Sequence, residues 1–233
     1  MHGKKILVVD DDPVITTLLV STLTKAGAEV HTAAGGQVGL HQFYTSRPDL
    51  VILDVMMPDM DGWETCRIIR QLSDVPIIML TIQADDDEIV RGLNNGADDY
   101  ITKPFNAKIV LARVKAALRR PSHSHLPRKT TTYSDGYLTI DLEKNLVLVK
   151  GEPVKLTGLE YRLLAYLLQN ANRTLTTQQI LESVWGWEYQ DEPGHVRIYA
   201  WHLRQKLEAD PKQPQYLLTD YGIGYRFKTQ ESG

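Results

Sequence analysis

The stretch "LVVDDDP", residues 7–13, decides the fold of the first half of this 233-residue chain. The apolar run 6–9 that enters it is typical of a strand buried on both faces of a parallel sheet. The run ends at three consecutive carboxylates, Asp10, Asp11 and Asp12, with no basic residue among them. Because neighbouring ionised carboxylates repel one another and raise each other's pKa, the end of this strand needs a compensating cation.

The sequence on either side alternates between short apolar runs and segments with helical spacing. The predicted strands are 5–10, 29–32, 50–54, 77–81 and 99–102, and the predicted helices are 14–26, 36–46, 63–72, 86–94 and 106–119. Five strands alternating with five helices predict an α/β fold with a parallel, doubly wound sheet covered on both faces. For the strand order 2-1-3-4-5, the first and third strands meet where the order reverses, which is where such sheets carry their chemistry.

Side chains of complementary chemistry stand at four of these strand ends. Asp10 and Asp11 follow the first strand, Asp54 ends the third, and Thr81 and Lys103 end the fourth and fifth. A hard divalent cation that prefers oxygen ligands, such as Mg²⁺, would relieve the repulsion between the carboxylates. A metal, an ammonium and a hydroxyl stabilise a developing phosphoryl charge, and a carboxylate is the plausible nucleophile.

Two neighbouring features have simpler explanations. Asp12 stands before Pro13, a residue that favours the first turn of a helix, and is therefore predicted to be the N-cap of the first helix. Cys66 is the only cysteine; it fits a reducing cytoplasm and is predicted to be a small core residue. No apolar run approaches the roughly 20 residues of a membrane span, so we expect no membrane partner.

After residue 120 the sequence changes character. Residues 121–133 are polar, contain proline and predict a linker, in which His123 and His125 are not expected to bind a metal. The remaining residues, 134–233, predict strands at 137–141, 146–149 and 154–156, helices at 158–169, 177–184 and 194–207, and a hairpin over 215–227. This order predicts a winged helix-turn-helix domain.

Charge gives little indication of a nucleic-acid partner. The first 120 residues carry 13 basic and 16 acidic side chains, and the rest carry 13 of each. Neither half has the positive excess that announces nucleic-acid binding, so any DNA contact must come from a local patch.

The last predicted helix, "GHVRIYAWHLRQKL", carries such a patch. Val196, Ala200, Leu203 and Leu207 form its apolar stripe. The side chains left on its other faces are Arg197, Trp201, His202, Arg204, Gln205 and Lys206. Arginine and glutamine can read base edges and lysine can hold phosphate. Trp201 either contacts a partner or packs against the second helix of the domain.

Residues 3–120 resemble the receiver domain of two-component response regulators. The motifs "ILVVDDDP", "LVILDVMMPDMDG", "IIMLT" and "GADDYITKPF" have the order and spacing of that family. The resemblance implies a flavodoxin-like (βα)5 domain in which Asp54 accepts phosphate while Thr81 and Lys103 contact the phosphoryl group. It also implies a cis bond between Lys103 and Pro104, and no enzymatic activity beyond the receiver's own phosphorylation and dephosphorylation.

The same resemblance implies a metal site and a switch. Mg²⁺ or Mn²⁺ is expected to bind Asp11, Asp54 and the backbone carbonyl of Met56 directly, with Asp10 helping through water. Tyr100 matches the aromatic residue that turns inward when Thr81 is drawn to the phosphate. One position departs from the family pattern: Ile82 stands after Thr81, where Ala or Gly is usual.

Residues 134–228 resemble the winged-helix effector domain of OmpR/PhoB-type regulators, through "LTGLEYRLLAYLLQN", "ILESVWGWEY", "HVRIYAWHLRQKLE" and "GIGYRF". The resemblance implies that the helix from about Gly194 is the recognition helix and that loop 185–194 contacts RNA polymerase, as in some members. The hairpin around residues 220–222 is implied to be a wing that meets the minor groove, which adds Thr219 and Tyr221 to the candidate DNA contacts. Asp220 stands where an arginine is common, so we expect weak binding by the monomer.

Family members dimerise through the fourth and fifth helices of the receiver. The matching side chains here are Asp98, Asp99, Arg113 and Arg120, while Ile89 and Ile109 replace a further Lys–Glu pair. Exposed apolar residues on a shared face can associate directly. Such a dimer would place two DNA-binding domains on repeated half-sites.

The expected function is that of a cytoplasmic response regulator. A sensor histidine kinase would phosphorylate Asp54 and shift the chain toward a dimer that binds specific double-stranded DNA and regulates transcription. A regulator that ignores phosphate and dimerises constitutively through Ile89 and Ile109 stays open as an alternative. A phosphohydrolase with Asp10 and Asp12 as its paired carboxylates is disfavoured, because such enzymes place the nucleophile on the first strand and carry a substrate cap.

Overall fold

The computed structural model describes residues 1–82, 96–118, 131–189 and 192–230. The chain divides into two compact units, Met1–Arg120 and Pro121–Gly233. The predicted helix 86–94 and the residues Ile89, Arg120, His123 and His125 lie outside the described residues. In the described part of the chain, no helix has the length and apolar character needed to cross a membrane.

The first unit is built on a five-stranded parallel sheet. Its strands are β1 (Lys5–Val9), β2 (Glu29–Ala33), β3 (Leu50–Asp54), β4 (Ile77–Thr81) and β5 (Asp99–Thr102). They lie in the order β2-β1-β3-β4-β5, and all four neighbouring pairs are parallel. The predicted topology is therefore confirmed, and the carboxyl ends of β1 and β3 lie side by side.

Apolar strands and flanking helices form the core of this unit. The described helices are Pro13–Lys25, Gly36–Ser46, Gly62–Leu72 and Ala107–Leu118. Every residue of β3 and β4 is buried, which stabilises the fold by about 1.5–3 kcal/mol for each large aliphatic side chain. Cys66 is also fully buried, as expected for a small core residue.

Helix caps hold the loops at the carboxyl edge of the sheet. Asp12 is the N-cap of helix Pro13–Lys25 and accepts a 2.7 Å hydrogen bond from the backbone N–H of Val14, which confirms its predicted role. Asp61 caps helix Gly62–Leu72 in the same way. An N-cap satisfies a backbone donor that the helix itself leaves without a partner, so each loop is fixed where its helix begins.

The second unit has the winged-helix order of elements. A four-stranded antiparallel sheet contains β6 (Thr132–Ser134), β7 (Leu138–Asp141), β8 (Leu146–Val149) and β9 (Glu152–Pro153). The helices are Gly158–Gln169, Thr177–Val184 and Gly194–Leu207. A second sheet contains β10 (Leu175–Thr176), β11 (Leu217–Asp220) and β12 (Gly224–Phe227) in the order β10-β12-β11.

Three short strands differ from the sequence expectation. β6 begins at Thr132, inside the stretch predicted as linker, and the third predicted strand, 154–156, is replaced by β9 two residues earlier. β10 was not predicted at all. β6 and β9 bury little of their surface and β10 has two residues, so none has the alternating apolar pattern from which a strand can be predicted.

A shared carboxylate joins β6 to the C-terminal hairpin. One oxygen of Asp135 accepts hydrogen bonds from the hydroxyls of Tyr133 at 2.8 Å and Tyr216 at 2.7 Å. Burial would raise the pKa of Asp135, but these and nearby backbone hydrogen bonds outweigh it and lower the pKa. The ring of Phe227 packs edge-on against Tyr133. β6 and the residue that follows it, at the start of the domain, therefore hold the C-terminal hairpin in place.

Candidate functional site

Three carboxylates meet at the carboxyl ends of β1 and β3. Asp10, Asp11 and Asp54 each offer an oxygen, and these three oxygens lie within 4.8 Å of one another. Asp10 and Asp54 are buried while Asp11 is exposed. Such a set of hard oxygen donors, open to solvent on one side, fits a divalent cation such as Mg²⁺ that keeps part of its water shell.

The Lys103 ammonium lies against two of these carboxylates. Its Nζ is 3.0 Å from Asp10 Oδ2 and 2.9 Å from Asp54 Oδ1. Burial lowers the pKa of Lys103, but the hydrogen bonds to Asp54 and Asp10 outweigh it, and the net pKa lies above its ordinary value. Lys103 is therefore a fixed cation of the pocket.

One ammonium does not balance three carboxylates. Burial raises the pKa of Asp54, and the negative charge of Asp10 adds to this effect. The hydrogen bond from Lys103 acts in the opposite direction, yet the pKa of Asp54 stays raised. An additional positive charge would stabilise the ionised form of Asp54, so the charge distribution and the donor geometry both favour a bound cation.

Thr81 and Lys103 reach the same edge from neighbouring strands. Thr81 ends β4 and is buried, and its carbonyl accepts a 2.7 Å hydrogen bond from the backbone N–H of Lys103. The bond between Lys103 and Pro104 is cis, as expected. The structure thus places an ammonium and three carboxylates together, with Thr81 at the end of the neighbouring strand, as the strand ends predict.

The loop that follows Asp54 is anchored at several points. The backbone N–H of Gly62 donates to Val55 O at 2.9 Å, and a Cβ added to Gly62 would lie 2.0 Å from the carbonyl oxygen of Asp54. Only glycine fits there. Met56, the expected carbonyl ligand, lies in this loop and is 69% exposed.

A second anchor of this loop was missed by sequence reasoning. The carboxylate of Asp59 accepts hydrogen bonds from the backbone N–H groups of Gly36 at 3.1 Å and Gln37 at 3.2 Å. It thereby joins loop 55–61 to the first turn of helix Gly36–Ser46. No local signal reveals the contact, because the partners are more than twenty residues apart.

The two remaining receiver candidates lie near the surface. Ile82 is 68% exposed, so its side chain points to solvent rather than filling the pocket. Tyr100 is half-buried, and the guanidinium carbon of Arg113 lies 5.6 Å from the centre of its ring, within cation–π range. The position of Tyr100 is therefore coupled to that of Arg113.

The charged residues of the predicted dimer face have partners within the receiver. Asp98 is buried and accepts hydrogen bonds from Arg70 Nη2 at 2.6 Å and Ile77 N at 2.9 Å. Asp99 pairs with Arg113 of the same chain at 2.7 Å, and both are buried. These acids are satisfied within the receiver because the fold brings two arginines to them. Ile109 is 43% exposed, as an association surface requires.

The predicted recognition helix, Gly194–Leu207, buries the predicted stripe and exposes part of the predicted DNA face. Val196, Ala200, Leu203 and Leu207 are all buried. Arg197 and Gln205 are exposed and Trp201 is half-buried. Arg197 and Gln205 are therefore the side chains of this helix best placed to reach base edges or phosphates.

Four predicted DNA contacts, Arg204, Thr219, Lys206 and His202, are instead engaged within the domain, and this corrects the sequence interpretation. Arg204 donates to Leu217 O at 2.8 Å and to the Thr219 hydroxyl at 2.7 Å, which ties the helix to β11. Lys206 donates to Glu160 Oε2 at 2.6 Å. His202 is half-buried, 4.0 Å from the same carboxylate, and burial lowers its pKa.

The hairpin after β11 forms the wing. Tyr221 at its turn is 93% exposed. Asp220 accepts hydrogen bonds from the Thr174 hydroxyl and, at 3.1 Å, from Arg226, and these bonds lower its pKa. The acid that was expected to weaken DNA binding therefore has a positively charged partner beside it.

Each of the two units matches a known protein family. Residues 6–115 match the family described as response regulator receiver domain, and residues 151–227 match the one described as transcriptional regulatory protein, C terminal. The KDP operon transcriptional regulatory protein KdpE of Escherichia coli is 42% identical over 222 residues, which cover 95% of this chain and 98% of that protein. The probable transcriptional regulator ycf27 of Cyanophora paradoxa is 42% identical over 233 residues and 98% of both chains.

A solved structure covers nearly the whole chain. The response regulator DrrB of Thermotoga maritima, described as an OmpR/PhoB homologue, is 36% identical with a TM-score of 0.53 and covers 98% of this chain and 100% of its own.

Proposed function

We propose a phosphorylation-controlled function for this chain, which belongs to the family of OmpR/PhoB-type response regulators and is a DNA-binding transcriptional regulator. A sensor histidine kinase donates a phosphoryl group to Asp54, and the modified chain binds double-stranded DNA. The observation that carries this proposal is the pocket in which Lys103 bridges Asp10 and Asp54 at the ends of β1 and β3.

The residues of the pocket have distinct roles in the transfer. An oxygen of Asp54 attacks the phosphorus of the kinase phosphohistidine, the P–N bond breaks, and the imidazole leaves with its electron pair. Lys103 exchanges its contact with Asp54 for a contact with a phosphoryl oxygen. The Thr81 hydroxyl donates a hydrogen bond to another phosphoryl oxygen. These two donors stabilise the charge that develops during transfer.

A divalent cation completes the charge balance. Asp10, Asp11, Asp54 and the carbonyl of Met56 would hold Mg²⁺ or Mn²⁺, which neutralises phosphoryl charge when it is bound. The caps and anchors around loop 55–61 keep the Met56 backbone in place. Apart from its own phosphorylation and dephosphorylation, we propose no catalytic activity for this chain.

The phosphoryl group is coupled to association through Tyr100. When Thr81 is drawn toward the phosphate, Tyr100 turns inward and leaves the guanidinium of Arg113. This change loosens the pair between Arg113 and Asp99 and alters the surface of helix Ala107–Leu118, which carries Ile109. The receiver then associates as a homodimer, and phosphorylation shifts an equilibrium that already exists.

The second unit delivers the output. A dimer places two recognition helices on repeated half-sites, and binding both sites together raises the overall affinity above that of one domain. Arg197 and Gln205 face the DNA. The loop between the last two helices contacts RNA polymerase, and Trp187, which is 69% exposed, is the residue best placed for that contact among those that the structure describes there.

Phosphorylation of the full chain tests this function. The protein is incubated with phosphoramidate and Mg²⁺ and resolved on Phos-tag gels beside Asp54→Ala and a control, Asp74→Ala, which removes an exposed acid outside the pocket. We expect a shifted band for the wild type and for Asp74→Ala, and none for Asp54→Ala. An equal shift in all three samples would place the phosphoryl group elsewhere.

Sedimentation of the same samples tests the coupling to association. We expect the unphosphorylated chain to be monomeric and the phosphorylated chain to be dimeric. A dimer that is equally tight without phosphate would support the phosphorylation-independent regulator, and Ile109→Lys should then dissociate it because a charge would enter an apolar contact.

A further inference from the structure

Helix Gly36–Ser46 of the receiver is capped by a residue from another part of the chain. Its N-cap residue is Gly35, which has no side chain that could accept a hydrogen bond from the first turn. The carboxylate of Asp59, in loop 55–61, takes this role by accepting from Gly36 N at 3.1 Å and from Gln37 N at 3.2 Å. These N–H groups have no partner within the helix, so an acceptor from outside stabilises its first turn.

Gly35 and Asp59 fit one another closely. A Cβ added to Gly35 would lie 2.7 Å from Asp59 Oδ1 and 2.9 Å from Asp59 Oδ2. The φ of Gly35 is 174°, an extended conformation that any residue adopts. Glycine is therefore required here for space, and a larger residue at position 35 would push the carboxylate away from the helix.

The cap carries a negative charge. Hydrogen bonds from the backbone N–H groups of Met60 and Gln37 lower the pKa of Asp59, although burial acts weakly in the opposite direction. The ionised carboxylate lies at the positive end of the helix dipole, which favours an anion. Hydrogen bonds to an ionised acceptor are stronger than neutral ones, so this contact can restrain a loop even at an exposed position.

The restrained loop is the one that follows Asp54. Its start is fixed by hydrogen bonds from Val55 N to Leu80 O at 3.0 Å and from Gly62 N to Val55 O at 2.9 Å. Residues 56–60 lie between these two points, and the structure describes all five. Within this described stretch, the hydrogen bonds to another element come from the carboxylate of Asp59. The stretch includes Met56, the expected carbonyl ligand of the cation.

We propose that Asp59 is a positioning residue that sets the affinity of the cation site. This inference rests on the proposed function and adds a residue that contacts neither the cation nor the phosphoryl group. Asp59 ties the loop to helix Gly36–Ser46 and so holds the backbone around Met56 in one conformation before a cation arrives. A ligand that is already ordered loses less entropy on binding, and removing the partners that orient metal ligands typically lowers affinity by about 10–100-fold.

Titration of the full-length chain with Mn²⁺ tests the proposal. The electron paramagnetic resonance signal of free Mn²⁺ reports how much of the ion is bound, without any phosphorylation step. Asp59→Ala is compared with Asp74→Ala, a control that removes another exposed acid of the receiver. Asp54→Ala identifies the bound Mn²⁺ that belongs to the carboxylate pocket.

We expect Asp59→Ala to weaken Mn²⁺ binding about tenfold, at the lower end of the range for such partners, while Asp74→Ala binds as the wild type does. Gly35→Ala should also weaken binding, because the new Cβ displaces the carboxylate without removing it. Phosphorylation of Asp59→Ala by phosphoramidate should be slow at low Mn²⁺ and approach the wild-type rate at saturating Mn²⁺.

A double variant separates positioning of the loop from capping of the helix. Gly35→Asp combined with Asp59→Ala gives the helix an N-cap of its own and leaves the loop untied. We expect this variant to recover the urea midpoint that Asp59→Ala loses in metal-free buffer. Its Mn²⁺ affinity should stay about tenfold below that of the wild type, because no side chain holds the loop.

Two outcomes would overturn the proposal alone. Wild-type Mn²⁺ affinity in Asp59→Ala would show that the loop needs no such restraint. Recovery of Mn²⁺ affinity in the double variant would assign Asp59 to helix stability only. If the wild type binds no Mn²⁺ that is lost in Asp54→Ala, the cation site of the proposed function is itself wrong, and the role of Asp59 is refuted with it.

Discussion

At the scale of single residues, partial neutralisation by one ammonium allows three carboxylates to lie together in the receiver pocket. Lys103 contacts Asp10 and Asp54, while Asp11 faces solvent, where water screens its charge. The lysine therefore stabilises the fold in addition to its proposed part in phosphoryl transfer.

Replacing Lys103 should expose this structural role. Lys103→Met leaves two buried carboxylates without their ammonium, and we expect the free energy of unfolding to fall by about 2 kcal/mol without Mg²⁺. Added Mg²⁺ should recover much of this loss, because a bound cation supplies the missing charge. Urea unfolding with and without Mg²⁺ measures both effects.

Lys4→Met is the matched control for this experiment, since Lys4 forms an ion pair with Asp49 at a more exposed position. Such pairs contribute about 0–1 kcal/mol, and no recovery with Mg²⁺ is expected. An equal Mg²⁺ effect on both variants would contradict the account of the pocket.

His202 makes the stability of the second unit depend on pH. Burial holds the pKa of His202 below its ordinary value of 6.5, so the folded domain keeps this ring neutral where the unfolded chain binds a proton. As pH falls from about 6.5 toward the lowered pKa, the unfolded state gains protons and stability is lost. We expect His202→Asn to show a smaller loss of stability between pH 7 and pH 5.5 when unfolding is followed by urea titration. The same pH dependence in both proteins would rule out His202 as its source.

At the scale of elements, glycine positions decide how closely backbones approach. Gly62 lies against the carbonyl of Asp54, and Gly224 lies against that of Leu175. The first contact sets the loop beside Asp54, the proposed phosphoryl acceptor, and the second sets the wing against β10. Both sites depend on backbone contacts that no larger residue allows.

Gly62→Ala should therefore damage the receiver. A Cβ at 2.0 Å from a backbone oxygen forces the loop to move, and overpacking of this kind costs about 1–3 kcal/mol or more. Gly158→Ala is the control, because a Cβ there meets nothing within 4 Å. We expect Gly62→Ala to lower both the unfolding free energy and the rate of phosphorylation by phosphoramidate. If Gly62→Ala behaves like the wild type, the loop has room for a Cβ at this position, and the account of the contact between Gly62 and Asp54 is wrong.

Elements also show how far the sequence could be interpreted. Each receiver strand is a continuous apolar run or a run that ends at a polar residue, so the strands could be placed from the sequence. The positions of the strand ends in turn predicted that Asp54, Thr81 and Lys103 lie at the same edge of the sheet. The faces of the recognition helix could be separated by their spacing. The sequence could not show which polar side chains are covered by the rest of the domain. Arg204 finds its partner 13 residues away, and Lys206 finds Glu160 46 residues away.

At the scale of the whole molecule, two folded units carry two parts of one proposed function. We propose that the receiver pocket accepts the phosphoryl group and that the winged-helix unit binds DNA through the recognition helix and the wing. Association of receivers is the proposed link, and it does not require new contacts at the DNA itself. The acids at positions 98 and 99 are satisfied within the chain, so exposed apolar surface around Ile109 is expected to contribute most of the dimer contact.

The measurement that tests the central claim most directly is the DNA affinity of the full-length chain before and after phosphorylation. The probe is a duplex that the wild-type chain selects from a random DNA library. Fluorescence anisotropy with this duplex is recorded with and without phosphoramidate and Mg²⁺, for the wild type and for Asp54→Ala. The account predicts at least about tenfold tighter binding by the phosphorylated wild type, as expected for binding at two sites together, and no response in Asp54→Ala. Equal affinity of the wild type in both states, or a response that survives in Asp54→Ala, would contradict it.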